Sequence, residues 1–179
     1  MRLLRSTCHP AVNLAEYRYF ERIATRAIVL KGDKILLLYT ERYDDYTLPG
    51  GGVDDGEALL EGFKRELAEE TGAKHIRNIE EFGLYEEFRP WYKEDFDAMK
   101  MQSYCFRCEI DEQLGETKFE DYEIKNGMKA VWLPISEAIK HNQNTLAESD
   151  KKGMSVEREL FLLKLIEKEL LTTCSYSVG

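Results

Sequence analysis

Pro49-Gly50-Gly51-Gly52-Val53-Asp54-Asp55-Gly56-Glu57, continuing through Arg65-Glu66-Leu67-Ala68-Glu69-Glu70-Thr71-Gly72, joins a glycine loop directly to an acidic helix. The helix is expected from about Glu57 to Thr71, with Gly72 as its C-terminal cap. At about 100° per residue, Glu69 lies about 60° to one side of Glu66 and Glu70 about 40° to the other. The three carboxylates therefore share an arc of roughly 100°, while Leu59, Phe63 and Leu67 fall at about +20°, +60° and +100°. Glu70 lies inside the apolar sector, and the acidic arc borders the buried stripe. Glu61 and Lys64 fall on the far side, toward solvent.

That placement costs free energy, because like charges repel at helical spacing and an inward carboxylate loses hydration. A hard divalent cation with oxygen ligands would relieve both. Taken alone, the three glutamates are equally consistent with a solvated acidic face held by ordinary ion pairs. The glycines shift that balance, since the loop after Pro49 can approach a ligand closely and adopt conformations closed to other residues.

Working outward, residues 23–30 read as a strand, Gly32-Asp33 as a turn and residues 34–39 as the hairpin partner. Glu41 to Asp45 read as a polar loop. After the acidic helix come strands near 79–88, 102–110 and 129–133, with loops over 90–100 and 115–127 between them. Pro134-Ile135-Ser136 opens a short helix. Val156, Leu160, Leu163, Ile166 and Leu170 mark an amphipathic helix over about 155–171. Strands with helices inserted between them predict an α/β fold, an α/β/α sandwich on a mixed sheet.

The chain has 179 residues, 43% of them hydrophobic, enough for one core and one domain. Residues 1–20 form an N-terminal strand or extension of that domain, and 172–179 are expected to be a flexible tail. A net charge of −9 argues against a phosphate-tracking nucleic-acid surface. No apolar run suits a membrane span and no leader is read at the start, so the cytoplasm is the expected compartment. Cys105 and Cys108 form C-x-x-C inside a strand, where residues three apart face opposite ways, so zinc is not expected. His9, His75 and His141 are scattered.

Gly51, five residues, Glu57, seven residues and then Arg65-Glu66-Leu67-Ala68-Glu69-Glu70-Thr71-Gly72-Ala73 resembles the Nudix box, G-x5-E-x7-R-E-U-x-E-E-x-G-U, where U is a bulky aliphatic. Every charged and glycine position is present; Ala73 stands where Ile, Leu or Val is usual, which touches packing rather than chemistry. Residues 26–28 and 132–134 also resemble the family. The resemblance implies a Nudix-type hydrolase with Mg²⁺ as cofactor, Mn²⁺ substituting, held by Glu66, Glu69 and Glu70. Arg65 would orient the cluster with Glu57 as partner. Gly51 and Gly52 would shape the loop at the substrate, where Arg26, Tyr46 and Arg89 are further candidate contacts. Arg89 could equally pair with Glu86 or Glu87. Tyr43, Phe88, Trp91 and Tyr92 are candidate stacking rings.

The general base is sought in the acidic loop 116–123, at Glu120 or Glu123 in preference to the shorter Asp121, with Glu69 next. That loop is otherwise a solvated surface segment. The implied partner is a nucleotide-derived small molecule, and a homodimer is one possible assembly. The implied reaction cleaves a phosphoanhydride in a nucleoside diphosphate joined to another group. ADP-ribose or an ADP-sugar is favoured by the long aromatic loop 89–100. The alternatives are a nucleoside triphosphate or oxidised nucleotide, and a nucleotide-sensing module without turnover.

Overall fold

The computed structural model describes residues 1–13, 15–16, 18–93 and 95–171; the expected tail at 172–179 lies outside them. The strands are β1 (Leu3–Cys8), β2 (Tyr19–Ile28), β3 (Leu30–Lys31), β4 (Lys34–Thr40), β5 (Asp45–Thr47), β6 (Arg77–Pro90), β7 (Ala98–Glu109) and β8 (Met128–Pro134). The helices are α1 (Leu59–Thr71), α2 (Asp121–Lys125), α3 (Ile135–Glu148) and α4 (Val156–Ile166), the last continuing as a π-helical turn over Glu167–Leu171.

The strands form two four-stranded sheets. The first has the order β1-β6-β7-β2, with β1 parallel to β6, β6 antiparallel to β7 and β7 parallel to β2, so it is mixed. The second is antiparallel, with β4 between β5 and β8 and β3 folded back on it. Period-2 alternation sends successive side chains to different layers. Ala27, Leu36, Phe106 and Cys108 pack with Phe63 and Leu67 of α1. Ile28, Ile35, Leu37 and Cys105 pack with Ala138 of α3 and Leu162 and Leu163 of α4. The helices thus cover opposite faces, and the α/β/α architecture follows. Cys105 and Cys108 fall in the two different layers, and both are buried free thiols.

Several boundaries differ from the sequence reading. Helix α1 begins at Leu59 because Glu57 is engaged elsewhere, as described below. Its C-terminus is where expected: Gly72 is left-handed at φ 70°, and its N–H donates to the Ala68 carbonyl. The supposed long loop 90–100 is short, since β6 runs to Pro90 and β7 starts at Ala98. Loop 115–127 contains α2, and the short helix after Pro134 runs for 14 residues. Part of the loop before Leu48 pairs with β4 as β5. These are edges where long-range pairing overrides local composition.

Two attachments position the cleft. The glycine loop lies along the free edge of β2, with the Thr25 N–H on the Gly51 carbonyl at 2.9 Å, Ala27 N–H on Pro49 at 2.8 Å and Val53 N–H on Ile23 at 3.0 Å. The segment leading to α2 is tied to the end of α1 by Gly115 N–H on the Gly72 carbonyl (2.7 Å) and Lys118 N–H on Glu69 (2.6 Å). Gly72 and Gly115 approach so closely that a Cβ on Gly72 would strike the Gly115 backbone.

Candidate active site

Arg65 organises the acidic helix. Its Nε donates to Glu57 Oε1 at 2.8 Å and its Nη2 to Glu57 Oε2 at 2.9 Å, a bidentate pair. Nη1 donates to Glu66 Oε1 at 2.7 Å and Glu69 Oε2 at 3.3 Å, and Nη2 also reaches the Gly52 carbonyl at 3.1 Å. One guanidinium therefore ties the loop, the start of the helix and two carboxylates together. The hydrogen bond from Arg65, together with one from the Asp54 N–H, draws the Glu57 carboxyl down to about 2. Gly62 leaves room for this pair, since a Cβ there would lie 2.9 Å from Glu57 Oε2.

Glu70 faces inward, as the helical wheel requires, with 4% of its surface exposed. Its Oε2 accepts the Gly50 N–H at 2.5 Å. Burial pushes its carboxyl well above the usual range; the Gly50 N–H opposes this, and nearby Glu123 and Glu66 add to it. Glu66 is also raised by burial, against Arg65, with Glu69 and Glu123 adding. A Cβ on Gly51 would run into the Glu66 carboxylate, so a side chain there would push that carboxylate aside. Glu69 is half-exposed beside Arg65.

Burial and the neighbouring carboxylates thus raise Glu66 and Glu70 in a site whose local cations do not balance them. No set of three His, Cys, Asp or Glu among the described residues stands ready-made around one point. The donor chemistry, all carboxylate oxygen with Glu66 and Glu70 raised by burial, nevertheless fits a hard divalent cation, which would favour the ionised forms that burial opposes.

The acidic cluster borders a cleft of about 590 Å³ between the two sheets. One wall is Arg22, Ala24 and Arg26 of β2 with Met101 and Arg89; the other is Leu38, Thr40, Asp45 and Thr47. Glu70, Gly50–Gly52 and Glu123 close one side, and Arg158 and Glu159 of α4 form the back. Arg26 donates from Nη1 to the Gly50 carbonyl at 2.7 Å and the Thr25 carbonyl at 3.0 Å.

The structure brings together most of the residues singled out from sequence, and it separates two. Tyr46 is not on the cleft wall; its ring packs against Tyr39 and His141, with centroids 5.2 and 4.9 Å away. Glu120 is exposed at the start of α2, where its backbone N–H donates to Glu123 Oε2 at 2.7 Å; helix capping sends Glu120 outward and Glu123 inward. Arg89 lines the cleft, but its charge meets Glu87, Nε to Oε1 at 2.8 Å. Of the candidate rings, Tyr43 lines the cleft, while Trp91 packs on Phe20 and Tyr92 at the tip of the β6–β7 hairpin.

Sequence reasoning missed Arg22, Asp45, Arg158 and Glu159. Glu159 could have been found, because it falls within the apolar stripe of its helix as Glu70 does. It is fully buried, accepting the Leu48 N–H at 2.8 Å and Arg158 Nη2 at 2.8 Å. Arg158 Nη1 also donates to Glu87 Oε2 at 2.5 Å.

A family model described as a NUDIX domain matches residues 21–155, from the second strand to the start of the last helix. The chain belongs to the Nudix family. Among curated Nudix relatives it is 30% identical over 134 residues to Nudix hydrolase 6 of Arabidopsis thaliana, covering 71% of this chain and 44% of that protein. It is 30% identical over 108 residues to the mitochondrial Nudix hydrolase 12 of the same plant, covering 59% of this chain and 50% of that protein. The chain thus spans about half the length of the curated relatives it matches first. A solved Nudix hydrolase from Nitrosomonas europaea superposes with a TM-score of 0.56 at 17% identity, covering 83% of this chain and 91% of that one, and shows the shared fold. Among the described residues no helix of this Nudix chain is long and apolar enough to cross a membrane.

Proposed function

We propose that this Nudix chain is a metal-dependent pyrophosphohydrolase. Its substrate is a nucleoside diphosphate joined to another group, with ADP-ribose or an ADP-sugar ahead of a nucleoside triphosphate. The observation that carries the reading is the buried Glu70 carboxylate, held by the Gly50 N–H, with Glu66 and Glu123 beside it at the edge of the cleft. The resemblance to the Nudix box implies that the chemistry sits on this helix. Glu66 and Glu70, with Glu69 at the rim, would hold Mg²⁺ or Mn²⁺, which supplies charge neutralisation for the diphosphate and lowers the pKa of the attacking water.

The protein's own residues do the rest. Arg65 and Glu57 keep the glutamates aimed at the loop. Arg26 fixes the loop through the Gly50 carbonyl with Nη1 and offers Nη2 to a phosphate oxygen. Arg22, whose guanidinium lies 3.2 Å from where a Gly52 Cβ would be, has no carboxylate partner among the described residues and meets the diphosphate at the mouth. Glu123 accepts the proton of the attacking water; Glu69, more exposed, is the next candidate. The unpaired thiols of Cys8, Cys105 and Cys108 suit a reducing cytoplasm.

The test is phosphate and nucleotide release across a panel of ADP-ribose, ADP-glucose, nucleoside triphosphates and oxidised nucleotides, with Mg²⁺ and then with EDTA. Cleavage of the ADP conjugates that EDTA abolishes is expected. Turnover confined to nucleoside triphosphates would reverse the substrate order. Tight binding with no turnover of any member would make the chain a nucleotide-sensing module.

A further inference from the structure

The back of the cleft differs in chemistry from its acidic side. Arg89 and Arg158 face Glu87 and Glu159, two guanidinia ion-paired with two carboxylates. A second anionic group placed there would face the Glu159 and Asp45 carboxyls, and Arg26, among the described residues the one cation there without a carboxylate partner, already serves the diphosphate. Two polar atoms in this region nevertheless have no partner within the protein: Nε of Arg26 on one wall and Oδ1 of Asp45 on the opposite wall. Arg26 is 8% exposed and Asp45 2% exposed, so bulk solvent does little for either. An apolar occupant would leave both unsatisfied, which is unfavourable in a dry site.

A hydroxyl both donates and accepts, and a ring bearing several of them can serve a guanidinium N–H on one side and a carboxyl on the other. Burial, with Glu159 beside it, pushes Asp45 up to about 7, against the pull of Arg158, so near neutrality its carboxyl can donate as well as accept. The cleft volume of about 590 Å³ falls within the range of sites that enclose a whole small-molecule ligand rather than a diphosphate alone.

We propose that the back of the cleft, between Arg26 and Asp45, is the subsite for the sugar joined to the diphosphate, and that Asp45 determines specificity for that neutral, hydroxyl-bearing group. The inference rests on the pyrophosphohydrolase reading and adds to it an orientation: the second sugar points inward, under the glycine loop, and the nucleoside points to the mouth.

Calorimetric binding of ADP-ribose and of ADP in EDTA, where no turnover intervenes, tests this. The wild-type protein should bind ADP-ribose about 10-fold more tightly than ADP, the weight of one or two hydrogen bonds in a desolvated site. Asp45→Ala should bring the two affinities within about 2-fold, and Asp45→Asn, which keeps a donor and an acceptor, should restore most of the preference. Asp45→Leu, alike in branching but larger and apolar, repeats the measurement if the alanine variant folds poorly. Equal affinities in the wild type, or an undiminished preference in the alanine and leucine variants, would overturn the assignment. A preference that Asp45→Ala abolishes in a protein that hydrolyses nothing would refute the hydrolase reading and leave the subsite standing.

Discussion

The two sides of the cleft use the same residue types to opposite ends. On the back wall, Glu87 and Glu159 are buried but matched to Arg89 and Arg158, so the wall is closed electrostatically and serves as scaffold. On the front, Glu66, Glu70 and Glu123 are buried or half-buried and face one another, with Arg65 turned mainly toward Glu57. Burying a carboxylate is unfavourable in both places. Asp45 apart, only on the front is the cost left standing in the protein alone, and that is where a cation is needed. A buried acidic group therefore says little until its partner is known.

The largest effect expected from this contrast is on turnover. Glu70→Gln, and separately Glu66→Gln, should lower kcat by about 10³-fold or more at saturating Mg²⁺, the scale of losing metal-borne charge stabilisation. The melting temperature in EDTA should hold or rise, because a buried carboxylate without a cation is replaced by a neutral amide. Full activity in either variant would remove the helix from the reaction.

The back wall should respond in the other currency. Arg158→Ala strands Glu87 and Glu159 and should cost about 3–5 kcal/mol of stability, read by urea titration. Arg158→Met combined with Glu159→Leu should recover part of that, since a buried pair replaced by apolar groups is often neutral. A loss of less than about 1 kcal/mol from the single change would mean the wall is open to water.

The choice of base sharpens the front. Glu123→Ala should lower kcat by about 10²-fold, within the usual worth of a general base, while Glu120→Ala leaves it near the wild-type rate. The reverse order would mean that α2 swings over when substrate binds.

The smallest expected effect is on pH-dependent stability. Asp45 is raised to about 7 in the fold, from an ordinary value near 3.8, by burial and Glu159; Arg158 and His141 pull the other way and Asp44 adds slightly. With the folded value above the unfolded one, the associated stability is fully present below the unfolded value and is lost as pH rises through about 7. Asp45→Asn should therefore raise the melting temperature relative to wild type more at pH 8 than at pH 5. Equal increments at both would place Asp45 in water.

Much of the front was legible before any coordinates. The wheel put Glu70 inside the apolar sector, and it is buried there; Gly72 ended the helix; Cys105 and Cys108 went to opposite layers. These are consequences of helix and strand periods acting over a few residues. Tyr46, Glu120 and the supposed long loop after Pro90 went differently because a strand pairing or a capping hydrogen bond decided them.

By itself, then, the sequence determined the acidic helix, the glycine loop and the family to which both belong, because their partners are neighbours along one chain segment and periodicity places them. Only the tertiary structure decided the back wall. The Leu48 N–H and Glu159 meet across 111 positions of sequence, and Arg158 and Glu87 across 71. Whether a buried charge there is matched depends on which strands lie side by side and in what register, and no local spacing records that.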